Sequence, residues 1–302
     1  MTNQIEQILV IKHGALGDII QANGILKNIR KHHSRARITL LTSSKFYSLM
    51  NKCPYINNII IDDRYSLINI FKQASLLKKL YVNEFSLVYD LQNSFRTLVY
   101  QNFFLRSVKW ITTNRKHHQI SGLRGLIDML AENNISTVNT LNPDISWMAN
   151  NVTKILKDKK ITGNYIILIP GSSKNHPEKR WPYYNKLAEL LMKQGWKIIT
   201  ILGPDEKELK KTSAGFIFDN LSWQDLAGII KSSAYVIGND TGPIHVASCL
   251  GKPGLAIFGP STSDIRSELK REKFNVLKVN ALSELSALEV YEKAMKDLNL
   301  QS

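Results

Sequence analysis

The sequence has little of what a secreted or membrane-spanning protein needs. Its two cysteines, Cys53 and Cys249, stand far apart in no CxxC or metal-like spacing, so we expect buried structural thiols rather than a disulfide framework. No apolar run approaches the ~18 residues that span a bilayer. The N-terminus carries Glu6 ahead of the short run Ile8–Ile11, whereas a secretory signal needs a basic start and a longer apolar segment. We therefore expect a cytoplasmic protein.

Acidic residues are scarce. The 302 residues include 40 Lys+Arg and 25 Asp+Glu, which gives a formal net charge of +15. No Asp or Glu occurs from Leu91 to Ile127. The basic residues and histidines of that segment are Arg96, Arg106, Lys109, Arg115, Lys116, His117, His118 and Arg124. Such a surface attracts phosphates, anionic membranes or nucleic acid, and an ordinary solvated basic face is the alternative.

The length fits two domains of ~150 residues better than one. In the first half, β-rich runs alternate with helical patterns, which favours a parallel sheet covered by helices. The predicted strands are Ile8–Lys12, Ile38–Thr42, Asn58–Asp62, Ser86–Asp90 and Lys109–Thr112. The predicted helices are Asp18–Lys31, Leu67–Tyr81 and Gly122–Asn133.

The same alternation begins again after a polar break at residues 139–143. The predicted strands are Tyr165–Ile169, Lys197–Leu202, Tyr235–Ile237 and Gly254–Phe258, and the predicted helices are Asp144–Lys160, Tyr183–Gln194 and one that opens at Ser286 with Glu289 as a capping box. We predict an α/β protein of two doubly wound, Rossmann-like domains, residues 1–150 and 151–302. The last helix, 286–298, is a candidate to pack back on the first domain.

Three polar motifs follow predicted strands. Lys12–Asp18 combines glycines, which let the backbone approach a ligand, with an acidic residue. Pro170–Ser173, followed by Lys179, offers backbone amides, hydroxyls and a cation, as a diphosphate cradle needs. Gly238–His245 places Pro243 in the first turn of a helix. Each motif also has a purely structural interpretation: Asp18 as a helix N-terminal residue, the Ser-rich turn as a surface loop, and His245 as a structural histidine.

These motifs argue against a nicotinamide-dependent oxidoreductase. The dinucleotide fingerprint GxGxxG is absent, and no acidic residue follows the second strand, where Leu41–Ser43 stands. All three motifs lie just past the carboxyl ends of predicted parallel strands, the edge at which open α/β sheets bind ligands. Two such sheets facing a central cleft would place Asp18 opposite the phosphate cradle.

The motifs resemble those of the lipopolysaccharide heptosyltransferase family, glycosyltransferase family 9, which has the GT-B fold. The matching pieces cover nearly the whole chain in register. They are Gly17-Asp18, Asp90–Ser94, Pro170–Ser172, Lys179–Pro182, Asp240–Ala247 and Gly251–Pro253.

The resemblance implies an inverting transferase that moves a sugar, typically heptose, from an ADP-sugar to a lipopolysaccharide core acceptor. Asp18 would match the general base. The donor site would comprise Ser172, Ser173, Lys179, Glu206, Asp240, Thr241, Gly242 and His245. Gly17, Asn93 and Arg96 are the candidate acceptor contacts. No cofactor and no metal is expected, since no His/Cys/Asp cluster has metal-ligand spacing.

The expected partners are the ADP-sugar donor, an anionic glycolipid acceptor and, peripherally, the inner face of the inner membrane. Nucleic acid is not expected, because no aromatic-basic repeat or reader motif occurs. Two alternatives stay open: the oxidoreductase, and a non-catalytic protein that binds a sugar nucleotide or lipopolysaccharide. The presence of both Asp18 and Lys179 disfavours the second.

Overall fold

The computed structural model describes residues 5–113, 122–262 and 267–300. The chain divides into two compact units, Met1–Trp147 and Met148–Ser302, here called unit 1 and unit 2. Four of the basic residues and histidines in the segment without Asp or Glu lie outside the described residues: Arg115, Lys116, His117 and His118.

Unit 1 is built on a five-stranded parallel sheet of order β3-β2-β1-β4-β5. The strands are β1 (Gln7–Ile11), β2 (Arg37–Thr42), β3 (Asn58–Ile61), β4 (Leu87–Asp90) and β5 (Lys109–Thr112). Four consecutive residues of β1, Ile8 to Ile11, are wholly buried, as expected of a central parallel strand covered on both faces. All five predicted strands of this half are therefore confirmed.

The helices of unit 1 are α1 (Leu16–Gln21), α2 (Asn23–His32), α3 (Tyr47–Met50), α4 (Ile70–Val82), α5 (Phe95–Val99) and α6 (Gly122–Glu132). A π-helical turn, Tyr100–Phe104, continues α5. The helix predicted over Asp18–Lys31 is two helices that meet at Ala22, next to which the Asn23 side chain donates to the Ile19 carbonyl at 2.9 Å.

One face of the unit 1 sheet is covered by α4 and by the segment that includes α5. Leu76 and Leu80 of α4 share a buried cluster with Tyr100 and with Leu9 of β1. Right-handed crossovers place α1, α2 and α3 on the opposite face, where α2 contacts α6. This arrangement places α4 and the α5 segment on the same face of the sheet.

Unit 2 is built on a six-stranded parallel sheet of order β11-β10-β9-β6-β7-β8. The strands are β6 (Tyr165–Ile169), β7 (Lys197–Leu202), β8 (Phe216–Asp219), β9 (Tyr235–Asn239), β10 (Gly254–Phe258) and β11 (Phe274–Lys278). The helices are α7 (Thr153–Asp158), α8 (Tyr184–Lys193), α9 (Trp223–Ser232), α10 (Gly242–Cys249) and α11 (Ala287–Asn299).

The last helix, α11, begins with the predicted capping box. The Ser286 amide donates to Glu289 at 2.9 Å, and the Glu289 amide donates to the Ser286 hydroxyl at 3.2 Å. Its buried side packs on α8 and β10 within unit 2. The sequence had left open whether this helix returns to the first domain.

The helix predicted over Asp144–Lys160 is wrong. The structure has a 3-10 turn at Ser146–Met148 and then the short α7. Asn150 lies between them because its backbone amide donates to the Gln224 carbonyl at 3.1 Å and its side chain donates to Asp225 at 2.9 Å. The Asn151 side chain then accepts the Thr153 amide at 2.9 Å just ahead of α7.

The chain order within each sheet reverses at one point. In unit 1 the reversal lies between β1 and β4, and in unit 2 it lies between β6 and β9. Ligands of doubly wound sheets bind outside the carboxyl ends of the strands at such a reversal. Among the described residues, none of the helices combines the length and apolarity that a membrane span requires.

Candidate functional site

The turn after β1 exposes the carboxylate of Asp18. Asp18 is the third residue of α1, and its Oδ2 accepts the Ala15 amide at 2.9 Å. A Cβ at Gly14 would lie 2.5 Å from the Asp18 Cβ, so only glycine lets the turn close this tightly on the carboxylate. Gly17 is buried in the same helix. Asp18 thus caps its helix and still reaches solvent, which makes the structural and catalytic interpretations compatible.

Lys12 places a positive charge beneath this turn. Its Nζ donates to the Leu91 carbonyl at 3.1 Å. Burial lowers the pKa of Lys12, while the nearby carboxylates of Asp18 and Asp90 act to raise it. The Lys12 ammonium therefore lies close enough to the Asp18 carboxylate for the two charges to attract each other.

The end of β4 holds the turn from one side. The Gln92 side-chain oxygen accepts the amides of His13 at 3.0 Å and Gly14 at 3.2 Å. Asp90 in turn accepts the amides of Gln92 at 3.0 Å and Asn93 at 2.9 Å. Asn93 has φ +46°, a left-handed conformation that asparagine tolerates. Gln92 was part of a motif in the sequence, but its bracing role was not predicted.

A buried polar network holds the same turn from the other side. His13, with no exposed surface, places Nε2 at 2.8 Å from Oδ2 of Asp62. The Tyr100 hydroxyl donates to the same oxygen at 2.6 Å. The Arg96 guanidinium donates to the Tyr100 hydroxyl at 2.8 Å and lies 3.8 Å from the other oxygen of Asp62. The carboxylate therefore connects the Asp18 turn to α5.

Asp62 is ionised in this network. Burial by itself would raise the pKa of Asp62, but the hydrogen bonds from His13 and Tyr100 outweigh it and lower the pKa to about 2. Arg96 also donates to the Tyr65 carbonyl, and only 14% of its side chain is exposed. The predicted acceptor contact Arg96 is thus a fixed cation beside the turn.

In unit 2, three predicted donor-site residues come together after β9. Lys179 Nζ lies 2.8 Å from Oδ2 of Asp240, and His245 Nε2 lies 3.5 Å from its Oδ1. Burial would raise the pKa of Asp240, but His245 and Lys179 outweigh it and lower the pKa to about 2. Among the described side chains, the buried Thr241 Oγ1 and His245 Nδ1 have no hydrogen-bond partner. Unpaired buried polar atoms at such a point are typical of a ligand site.

The same site includes the N-terminus of α10. Thr241 is the N-cap and Gly242 the first residue of this helix, whose amides carry partial positive charge. A Cβ at Gly238 would lie 2.7 Å from the Ile244 Cδ1, so glycine is what lets α10 pack this closely on β9.

A second turn, after β6, forms the wall of this site. A Cβ at Gly171 would lie 1.9 Å from Oε1 of Glu206, so the carboxyl group rests directly on the turn. Oε2 of Glu206 accepts the Gly203 amide at 2.7 Å. Burial raises the pKa of Glu206, although the Gly203 amide and the charge of Arg180 oppose the rise. The predicted donor residue Glu206, from the loop after β7, therefore packs against the Gly171 turn.

The two cations of this wall have separate partners. Ser172 accepts from Nε of Arg180 at 3.0 Å and donates to the Ser173 carbonyl at 3.3 Å. Lys179 pairs with Asp240 instead. Arg180 is thus a second cation at the cradle, although the sequence prediction gave it no role.

Asn239 joins the two turns of unit 2. It has no exposed surface. Its side-chain amide donates to the carbonyls of Pro170 at 2.8 Å and Gly171 at 3.0 Å. Its oxygen accepts the Trp181 amide at 3.2 Å and the Tyr184 hydroxyl at 3.0 Å. Its role was not predicted, because its partners lie 55 to 69 residues away along the chain. Within the described part of the chain, no three His, Cys, Asp or Glu side chains group as metal ligands would.

Comparisons with known proteins agree with these features. The family model "Glycosyltransferase family 9 (heptosyltransferase)" matches residues 129–295. Lipopolysaccharide heptosyltransferase 2 of Escherichia coli strain K12 is 22% identical, over 98% of this chain and 95% of that protein.

Two solved structures extend the likeness to the fold. The crystal structure of the glycosyl transferase family 9 from Veillonella parvula DSM 2008 has a TM-score of 0.80 at 21% identity and covers 100% of this chain and 99% of that one. The E. coli heptosyltransferase WaaC with ADP-2-deoxy-2-fluoro heptose has a TM-score of 0.76 at 18% identity, over 96% of this chain and 99% of that one.

Proposed function

Since the chain belongs to glycosyltransferase family 9, the heptosyltransferase family, and has the GT-B fold, we propose that it transfers a heptose from an ADP-sugar to a lipopolysaccharide core acceptor. The resemblance found in the sequence is confirmed at the level of family and fold. We place the reaction in the cytoplasm, with the enzyme bound peripherally to the inner face of the inner membrane.

The donor site is assigned to the strand-order reversal of unit 2. The cations Lys179 and Arg180 and the amides of α10 would stabilise the negative charge that develops on the leaving diphosphate. Glu206 on the Gly171 turn would accept from the donor ribose. The ADP-sugar assignment is supported by the ligand named for the E. coli enzyme WaaC, an ADP-linked fluoroheptose.

The acceptor site is assigned to the strand-order reversal of unit 1. Asp18 would accept the proton of the acceptor hydroxyl as that oxygen attacks the anomeric carbon and the bond to the diphosphate breaks, which inverts the configuration. The observation that most supports this role is an exposed carboxylate in a turn braced on both sides, by Gln92 and by His13. Gly17, Asn93 and Arg96 would contact the acceptor, with Arg96 facing its anionic groups.

The proposal is tested by transfer assays with a panel of ADP-sugars and defined truncated core acceptors, using Asp18→Asn. The amide cannot take the proton, so turnover should fall by about 100- to 10,000-fold, while the Kd for ADP stays nearly unchanged. Asp128→Asn is the matched control, since Asp128 is also an exposed helical aspartate of unit 1. Unchanged turnover in Asp18→Asn would remove this residue from the mechanism. A preference for UDP- or GDP-sugars would refute the donor assignment.

A further inference from the structure

Unit 1 exposes an unusual number of large apolar side chains over α4 and α5. Ile68 is 87% exposed, Phe71 89% and Phe95 75%. The set as a whole comprises Tyr65, Leu67, Ile68, Ile70, Phe71, Tyr81, Val82, Phe95 and Phe103, here called the α4–α5 surface. The exposed large apolar residues that the structure describes in unit 2 are Met192, Leu288 and Leu300, which are scattered along the sequence.

These side chains belong to one side of the unit. Leu76, Leu80 and Tyr100 bury the inner sides of α4 and the α5 segment in a single cluster, so their outer sides form one surface. The Arg96 bond to the Tyr65 carbonyl also ties the start of α5 to the loop before α4. Contiguous exposed apolar area of this kind marks an interaction site rather than ordinary surface.

The charge around this surface is predominantly positive. From Arg64 to Asn83 the sequence contains no Asp or Glu, and from there to Ile127 it contains only Glu84 and Asp90. Asp90 is buried. The exposed cations of the same elements are Arg64, Lys72, Lys78, Lys79 and Arg106. Lys72 lies 5.0 Å above the Tyr65 ring, so its stem covers aromatic surface while its ammonium stays at the rim.

The α4–α5 surface also adjoins the acceptor site. The loop with Leu67 and Ile68 follows the carboxyl end of β3, and Phe95 follows that of β4. Asp18 follows the carboxyl end of β1 in the same parallel sheet. Leu67, Ile68 and Phe95, at the upper end of this surface, therefore lie at the sheet edge that carries the proposed base.

From this combination we propose that the α4–α5 surface inserts into the boundary between headgroups and acyl chains of an anionic phospholipid bilayer. Aromatic and aliphatic side chains enter that boundary while lysines and arginines bind the anionic headgroups. The proposal deepens the proposed function, because it names the surface that brings Asp18 to an acceptor anchored in a membrane. A second copy of the chain would not explain the cationic rim, since two such rims repel.

Vesicle flotation tests the surface directly. The probes are vesicles of phosphatidylethanolamine with phosphatidylglycerol and, for comparison, vesicles of phosphatidylcholine alone. The full chain should float with the anionic vesicles, and the double variant Ile68→Ser/Phe71→Ser should lose binding by about tenfold or more. The double variant Val138→Ser/Leu288→Ser is the matched control, since it removes two exposed apolar side chains from elsewhere. The double variant Lys72→Glu/Lys78→Glu should also lose binding to the anionic vesicles.

Several outcomes would overturn the proposal. They are equal flotation with both vesicle types, no flotation, unchanged binding in Ile68→Ser/Phe71→Ser, or a wild-type dimer by sedimentation that this variant dissociates. Transfer assays distinguish a failure of this membrane proposal from a failure of the proposed function. Ile68→Ser/Phe71→Ser should keep its kcat on a deacylated, water-soluble acceptor and lose activity only on acceptor embedded in vesicles. No transfer by the wild type on either acceptor would refute the function and leave the vesicle result standing.

Discussion

Asp62 connects the turn that carries Asp18 with Arg96, the cation proposed for the acceptor. Its carboxylate takes hydrogen bonds from His13, Tyr100 and the Arg64 amide. A buried carboxylate without such partners would be strongly destabilising. The network therefore fixes the position of His13, and through it the turn that ends at Asp18.

This network predicts a specific dependence of stability on pH. The pKa of Asp62 is about 2 in the folded chain and ~3.9 when unfolded, so ionised Asp62 stabilises the fold by about 2 kcal/mol above pH 4. This contribution is complete above the unfolded pKa and is lost as pH falls through the folded value. Asp62→Asn should thus lower the free energy of urea unfolding at pH 7, and the difference from wild type should shrink by about half at pH 3.

The neighbouring Asp63 gives the control for this measurement. Asp63 accepts the Ser44 amide at the surface, and Asp63→Asn should change stability far less at either pH. A stability difference between wild type and Asp62→Asn that stays constant from pH 7 to pH 3 would show that the carboxylate is not the source of the effect.

Residues that act alone were easier to predict than residues that act through others. Asp18, Lys179 and Asp240 could be chosen because each stands in a polar motif after a strand. Asp62 was predicted only as the end of a strand, and Asn239 only as part of a motif. Their roles depend on partners that folding brings together from distant parts of the chain, and local patterns carry no signal for such contacts.

The same element, a glycine turn between a buried strand and a helix, supports a carboxylate in each unit. Gly14 contacts Asp18 in unit 1, and Gly171 contacts Glu206 in unit 2. In both cases the glycine has no side chain, and the space this leaves is occupied by the acidic residue. The turns therefore position carboxylates as well as redirect the backbone.

Gly171→Ala should displace the Glu206 carboxyl, because the new methyl group would overlap it at 1.9 to 2.1 Å. If Glu206 binds the donor ribose, loss of that hydrogen bond should raise the Kd for ADP by about 10- to 100-fold, measured by calorimetry. Gly122→Ala is the control, since a Cβ there meets nothing within 4 Å. Adding Gly171→Ala to Glu206→Ala should cause little further loss, and fully additive losses would contradict the shared mechanism.

In unit 2 the central strands could be predicted and the edge strands could not. The buried runs of β1, β6 and β10 have continuous apolar sequences that identify parallel strands. The edge strands β8 and β11, which are only partly buried, were not predicted. Helix α9 was also not predicted.

Both sheets follow the same strand order. In each unit the first three strands lie side by side in chain order, and the fourth strand pairs with the free side of the first. Each unit has its own buried core, and each presents its polar residues at its strand-order reversal. The two domains with parallel sheets could be predicted because the alternation of strand and helix begins twice. The net charge of +15 gave no information about this division, since charge sets partners rather than fold.

Because each unit has its own core, a nucleotide that binds one of them should stabilise that unit most. ADP at about 100 times its Kd stabilises the state that binds it by ~2.7 kcal/mol, so amide hydrogen exchange should slow by about 100-fold in β6, β9 and α10 of the full chain. The strands of unit 1 should respond much less. NAD at the same concentration is the control, since the turn after β1 lacks the dinucleotide fingerprint. Protection centred on β1 and β4 would place the nucleotide in unit 1. An equal response to NAD would favour the oxidoreductase over the transferase.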